Sequence, residues 1–226
     1  MGQMVFVVSN GVMDDTGFLD EEIGRAGDPV IICTDGAAER MRELGRVPDL
    51  IVGDMDSVDE ETLAYFEQKG SRIIRHPGDK DETDTQLALE RAFEMEPEGI
   101  RIFGALGGRI DHALANISLL VMCAKRGINT KIADRDCELF VVDRSCVIDG
   151  REGETVSLLP LSSDVRGITL DGFEYPLSGA VMEIGVPYGI SNRLTGARGK
   201  VSVESGYLLV IREVKSHGTT ELFWRQ

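Results

Sequence analysis

The sequence predicts an α/β fold: a mostly parallel sheet with flanking helices (Rossmann-like), followed by a small all-β domain of sandwich or jelly-roll type. Three observations predict it. Short apolar runs alternate with helical patterns up to about residue 135. Beyond about residue 140 the helical patterns stop and only short strand-like segments remain. Hydrophobic residues make up 42% of the chain and charged ones 28%, a balance that supports a real core in a chain of 226 residues.

The apolar runs of the first part are Met4–Val8, Val30–Cys33, Leu50–Val52, Arg72–Ile74, Ile100–Phe103 and Lys131–Ala133. Ala37, Met41 and Leu44 fall on one helical face after the second run, and Leu89, Ala92 and Phe93 after the fourth. After the fifth, Ala113, Ile117, Leu120, Val121 and Ala124 form a wide apolar stripe from His112 to Arg126, closed by Gly127. Strands alternating with helices give βαβ units and a parallel sheet. In the second part, Thr155–Leu159, Ile168–Leu170 and Val181–Ile184 are strand-like. Lys200–Glu204 alternates strictly, and Ser205-Gly206 followed by Tyr207–Ile211 predicts a hairpin. The expected domains are 1–142 and 143–226. The tail after Val214, with Phe223 and Trp224, has no usable pattern.

The 39 acidic residues against 24 basic ones give a net charge of −15, which argues against a nucleic-acid surface. No segment has the apolar length of a membrane span or a signal-peptide core. Cys33, Cys123, Cys137 and Cys146 form no C-x-x-C pair and are expected as reduced thiols, and a cytoplasmic protein is expected. Three scattered histidines give no zinc pattern.

The acidic residues cluster where ligands bind in open parallel sheets, beyond the carboxyl ends of the strands. Asp35 follows the second strand, Asp54 and Asp56 the third, Asp79, Asp81 and Asp84 the fourth, and Asp111 the fifth. Each has a local alternative: Ser57-x-x-Glu60 and Thr83-x-x-Gln86 read as capping boxes, and Asp111 as a helix cap. Together, like charges on one rim call for a cation, and carboxylates without nearby His or Cys suit Mg²⁺ with substrate phosphates. Gly104-Ala-Leu-Gly107-Gly108 joins a strand to a helix, where glycines let backbone N–H groups approach a phosphate, and Arg109 adds a fork of donors. A Walker A motif is missing: Gly199-Lys200 is followed by Val201. Leu50-Ile-Val-Gly-Asp54-Met-Asp56-Ser-Val58 resembles the nucleophile motif of haloacid-dehalogenase-like phosphatases, an alternative that leaves Gly107–His112 and the β domain unused.

Five segments in order resemble the thiamine pyrophosphokinases: Asp35-Gly-Ala-Ala38, Pro48-Asp-Leu-Ile-Val-Gly-Asp-Met-Asp-Ser57, Asp79-Lys-Asp-Glu-Thr-Asp84, Gly107-Gly-Arg-Ile-Asp-His112 and Gly189-Ile-Ser-Asn192. The resemblance implies ATP and thiamine as substrates, AMP and thiamine diphosphate as products, Mg²⁺ as cofactor, and a homodimer whose site is shared between subunits. It implies Asp54, Asp56 and Asp84 as metal ligands, with Asp81 a further candidate. Phosphate contacts fall to Asp35, Gly36, Lys80, Gly107, Gly108 and Arg109, and thiamine contacts to Asp84, Ser191 and Asn192. Asp111 either orients the phosphates through Arg109 or takes the hydroxyl proton, a role Asp84 also fits. A non-catalytic thiamine- or nucleotide-binding protein on the same fold is the remaining alternative; retention of all the acids argues against it.

Overall fold

The computed structural model describes residues 2–13, 15–79 and 81–214. Lys80 and the tail with Phe223 and Trp224 lie outside the described residues. The chain divides into two compact units, Met1–Leu119 with Gly127–Asp134, and Leu120–Arg126 with Arg135–Gln226.

The first unit contains six parallel strands: β1 (Met4–Val8), β2 (Val30–Thr34), β3 (Leu50–Gly53), β4 (Arg72–Arg75), β5 (Gly99–Phe103) and β6 (Thr130–Ala133). Their order is β6-β5-β1-β2-β3-β4. Central strands of such a sheet are covered on both faces, which is why Val5 to Val8 are all buried and the run is continuously apolar. β4, next to β3 alone, carries exposed Arg72 and Arg75 at its ends; charge on an edge discourages further pairing. Phe6, Val8, Leu19, Ile23, Cys33, Met41, Ile51, Leu63, Phe66 and Phe103 share one core cluster.

The helices are α1 (Thr16–Ala26), α2 (Ala38–Glu43), α3 (Glu60–Lys69), α4 (Asp84–Phe93) and α5 (Ile110–Lys125). The start of α3 differs from expectation. Asp59 caps it, accepting from the Thr62 N–H at 2.6 Å, while the Ser57 hydroxyl donates to Asp56 at 2.8 Å. A carboxylate at the cap meets the positive end of the helix, and Ser57 is left to the acid beside it. Thr83 caps α4 as expected, accepting from the Gln86 N–H at 3.2 Å.

The second unit contains β7 (Cys137–Val142), β8 (Ser145–Asp149), β9 (Thr155–Pro160), β10 (Asp164–Asp171), β11 (Leu177–Glu183), β12 (Asn192–Arg193), β13 (Arg198–Ser202) and β14 (Leu208–Glu213). They form two antiparallel arrays, β12-β9-β14-β7 and β11-β10-β13-β8. Alternate residues of both, among them Phe140, Ile148, Val156, Leu158, Val165, Ile168, Val201, Leu208 and Val210, build one core.

The expected hairpin at Ser205-Gly206 is not formed. β13 pairs with β8 and β10, whereas β14 pairs with β7 and β9. The segment crosses between sheets: the Arg166 N–H donates to Ser205 O at 2.9 Å, and Gly206 supplies a φ of 99°. A turn dipeptide between alternating runs fixes a change of direction, not the partner.

Cys33, Cys123, Cys137 and Cys146 are not joined in disulfides, in line with the reduced thiols expected. Burial pushes the Cys33 thiol far up and that of Cys146 to about 12, which makes both poor nucleophiles. No helix among the described residues is long and apolar enough to cross a membrane.

Candidate active site

The rim at the carboxyl ends of β1 to β5 is built around Asp35. A single 3-10 turn, Asp35–Ala37, follows β2 and leaves Asp35 only 2% exposed. Its carboxylate accepts from the Gly36 N–H at 2.7 Å and from the Met55 N–H at 2.8 Å. The second bond spans two strand ends. Met55 holds φ at 68°, a conformation that L-residues other than Asn and Asp rarely adopt. Two anchors hold it there: its N–H on Asp35, and its buried side chain in the core of this unit. The turn brings Asp54 and Asp56 together with Asp35, so that one carboxylate oxygen from each lies within 4.8 Å of the others.

Gly53 belongs to the same arrangement. A Cβ on it would meet Asp35 Cγ at 2.5 Å and both carboxylate oxygens at 2.8 Å. The glycine interrupting the third apolar run is therefore the space in which Asp35 sits. Burial raises the pKa of Asp35, and the charges of Asp84 and Asp54 add to the rise, against the two N–H bonds. A buried anion with anionic neighbours is relieved by a cation, and an all-oxygen donor set fits a hard one.

The three carboxylates brought together here overlap the expected metal ligands at Asp54 and Asp56. Asp35, assigned to phosphate, joins Asp54 and Asp56. Asp84, first residue of α4, is close enough to act on Asp35 electrostatically but is not in the group. Asp81 is exposed and, among the described residues, belongs to no such group.

Arg109 and Asp111 form an exposed pair: Arg109 Nε and Nη2 donate to the two Asp111 oxygens at 3.1 and 2.6 Å. Asp111 sits in the first turn of α5, also accepting from the His112 N–H at 3.0 Å. The Arg109 hydrogen bonds hold its carboxyl down to about 2. Gly107 and Gly108 have a second reason to be glycine. A Cβ on Gly107 would lie 2.0 Å from Val12 O, and Gly108 has a φ of 89°. The neighbour requiring Gly107 is the loop after β1.

That loop, Ser9–Met13, is the rim element the sequence reading missed. Ser9 Oγ and Thr85 Oγ1 are a buried pair 2.9 Å apart, tying it to the start of α4. The Ser9 and Gly11 N–H groups donate to Phe103 O and Gly104 O, both at 2.8 Å. Its signal was Ser9-Asn10-Gly11 directly after the first apolar run, matching the pattern of the other strand ends.

In the second unit, Asn192 is 5% exposed and committed to the backbone: Oδ1 accepts from the Tyr175 and Arg193 N–H groups at 3.0 and 2.8 Å, and Nδ2 donates to Tyr175 O at 2.9 Å. Ser191 is exposed, with φ of 61° and its N–H on Ser157 Oγ at 3.0 Å.

Two family profiles match the chain: "Thiamin pyrophosphokinase, catalytic domain" over residues 26–132, and "Thiamin pyrophosphokinase, vitamin B1 binding domain" over residues 143–208. A thiamine pyrophosphokinase of Bacillus subtilis is 33% identical over 205 residues, covering 90% of this chain and 93% of that one. The chain belongs to the thiamin pyrophosphokinase family. The crystal structure of thiamine pyrophosphokinase from Bacillus subtilis matches with a TM-score of 0.82 at 29% identity, covering 94% of this chain and 100% of the other. That of thiamin pyrophosphokinase from Geobacillus thermodenitrificans matches with a TM-score of 0.80 at 31% identity, covering 94% and 98%. All four acid-bearing loops of this thiamin pyrophosphokinase family member lie inside the segment matched by the catalytic profile, and Ser191 and Asn192 inside the segment matched by the other.

Proposed function

We propose that the chain transfers the pyrophosphoryl group of ATP to the hydroxyl oxygen of thiamine, releasing AMP. The observation that carries this is the convergence of Asp35, Asp54 and Asp56, within 4.8 Å, in a chain that matches both family profiles. Residues 1–142 form the catalytic, ATP- and Mg²⁺-binding part, and 143–226 the thiamine-binding part.

Asp35, Asp54 and Asp56 are the residues that would hold Mg²⁺. When bound, the ion offsets the charge of the phosphates and of the AMP oxygen that leaves. Arg109 and the Gly107 and Gly108 amides hold phosphate oxygens, with Asp111 keeping the guanidinium in place. The thiamine hydroxyl attacks the β-phosphorus in line, the bond to the AMP oxygen breaks, and the hydroxyl proton passes to a carboxylate. Such a transfer depends mainly on positioning and charge. Both Asp111 oxygens accept from Arg109, at 3.1 and 2.6 Å, which favours Asp84 as the acceptor. Ser191 faces thiamine directly. Asn192 shapes that site by fixing the Tyr175 backbone, and the acids of the rim suit the thiazolium charge.

A homodimer completes the proposal, with the acidic rim of one subunit and the Ser191 region of the other forming each site. Tyr175, Ile184, Val186, Tyr188 and Ile190 of the thiamine-binding part are exposed, and two-fold dimers are the commonest soluble oligomers. With ATP labelled at its β-phosphorus, label should enter thiamine diphosphate with one unlabelled AMP per turnover. Stoichiometric ADP with thiamine monophosphate on the path would refute the transfer mode. An Asp54→Asn subunit mixed with a Ser191→Ala/Asn192→Ala subunit, each inactive alone, should regain partial activity. An active monomer in sedimentation would refute the shared site.

A further inference from the structure

The loop after β1 is held more tightly than a connection between strand and helix requires. Arg40 of α2 reaches back to it: Nη1 donates to Ser9 O at 3.1 Å and Nη2 to Gly11 O at 2.9 Å. The guanidinium is half-buried, and burial lowers its pKa, with Glu43 the acid that acts against the fall. A desolvated cation spent on two main-chain carbonyls of one loop fixes that loop's conformation. Glycines let three backbones close around it. A Cβ on Gly11 would meet Gly104 O at 2.3 Å, one on Gly104 would meet Ser9 O at 2.4 Å, and one on Gly36 would meet Asn10 Nδ2 at 2.0 Å.

Between the two carbonyls held by Arg40 lies Asn10. Its carboxamide packs on Gly36, whose N–H is on the Asp35 carboxylate. Asn10 is exposed, and among the described residues its amide has no hydrogen-bond partner. The connections reverse direction between β1 and β5, and in open α/β sheets the ligand crevice lies outside the strand ends at that point. Asn10 is thus an open donor beside the acidic group, at the crevice, on a loop that has been made rigid.

We propose that Asn10 donates a hydrogen bond from Nδ2 to a phosphate oxygen of ATP, and that Arg40 is the positioning residue that sets Asn10 by clamping Ser9 O and Gly11 O. This rests on the ATP-dependent function proposed above and adds a second donor group to that of Arg109.

The experiment measures the affinity for ATP by equilibrium titration without thiamine, and the KM for each substrate, in Asn10→Ala, Arg40→Met and the double variant, with thermal unfolding alongside. Asn10→Ala should weaken ATP about tenfold, the size of one charge-assisted hydrogen bond, with the thiamine KM and the melting temperature unchanged. Arg40→Met should weaken ATP at least as much, and the double variant no more than Arg40→Met alone, because the two act through one contact. If Arg40→Met does not fold, Arg40→Lys, which keeps the charge but loses the fork, should give an intermediate loss of ATP affinity. Wild-type ATP affinity in Asn10→Ala, or additive losses in the double variant, overturns the proposal. Because titration needs no turnover, a wild type that binds ATP but makes no thiamine diphosphate overturns the functional reading instead.

Discussion

Gly53→Ala tests whether the acidic group is set by packing as well as by charge. The new Cβ would lie 2.5 Å from Asp35 Cγ, about 1 Å short of the ~3.5 Å at which carbon atoms meet. The φ of Gly53 is not in the left-handed region, so the backbone tolerates alanine and the clash alone matters. Asp35 has no free direction of retreat: it is 2% exposed and held by two N–H groups at 2.7 and 2.8 Å. Moving it by about 1 Å gives up the Met55 N–H, and with it the turn that places Asp54 and Asp56. Overpacking of this size costs about 1–3 kcal/mol. In a chain of 226 residues that is a fall in melting temperature of ~2–12 °C. Misplacement by about 1 Å in a site that works by positioning costs roughly a hundredfold in kcat. The assay is AMP release at saturating ATP and thiamine across a Mg²⁺ titration, with thermal unfolding on the same sample. The Mg²⁺ concentration for half-maximal rate should rise as kcat falls. A folded Gly53→Ala protein with wild-type kcat and wild-type Mg²⁺ dependence would refute the reasoning.

Asp54→Asn and Asp56→Asn should each abolish turnover while leaving the unfolding transition in place, and excess EDTA should abolish wild-type activity; full rate in either variant or in EDTA would overturn the metal assignment. Gly24→Ala is the stabilising counterpart: Gly24 is exposed inside α1, and its Cβ would meet nothing within 4 Å, so alanine should add roughly 0.5–1 kcal/mol and leave the rate unchanged. A fall in melting temperature would refute that description of the helix.

The sequence by itself determined the strands of the first unit, because runs buried on both faces of a parallel sheet are continuously apolar, as in Met4–Val8 and Leu50–Gly53. It also determined that carboxylates follow four successive strands, since strand ends in such a sheet share one rim. Local chemistry was legible where partners are close in sequence, as in the Thr83 cap of α4. What the sequence left open are contacts between distant segments. Ser205-Gly206 reads as a hairpin because both flanks alternate, and only sheet packing sends β13 and β14 to different neighbours. Gly53 reads as an interruption until Asp35 fills its space, and the second reason for glycine at 107 shows only once Val12 O lies against it. Arg40 is one helical arginine among several until its two hydrogen bonds reach back 31 and 29 residues. Periodicity records which face of an element is buried. It does not record what buries it, and the acidic group depends on that: tertiary packing brought Asp35 within 4.8 Å of Asp54 and Asp56.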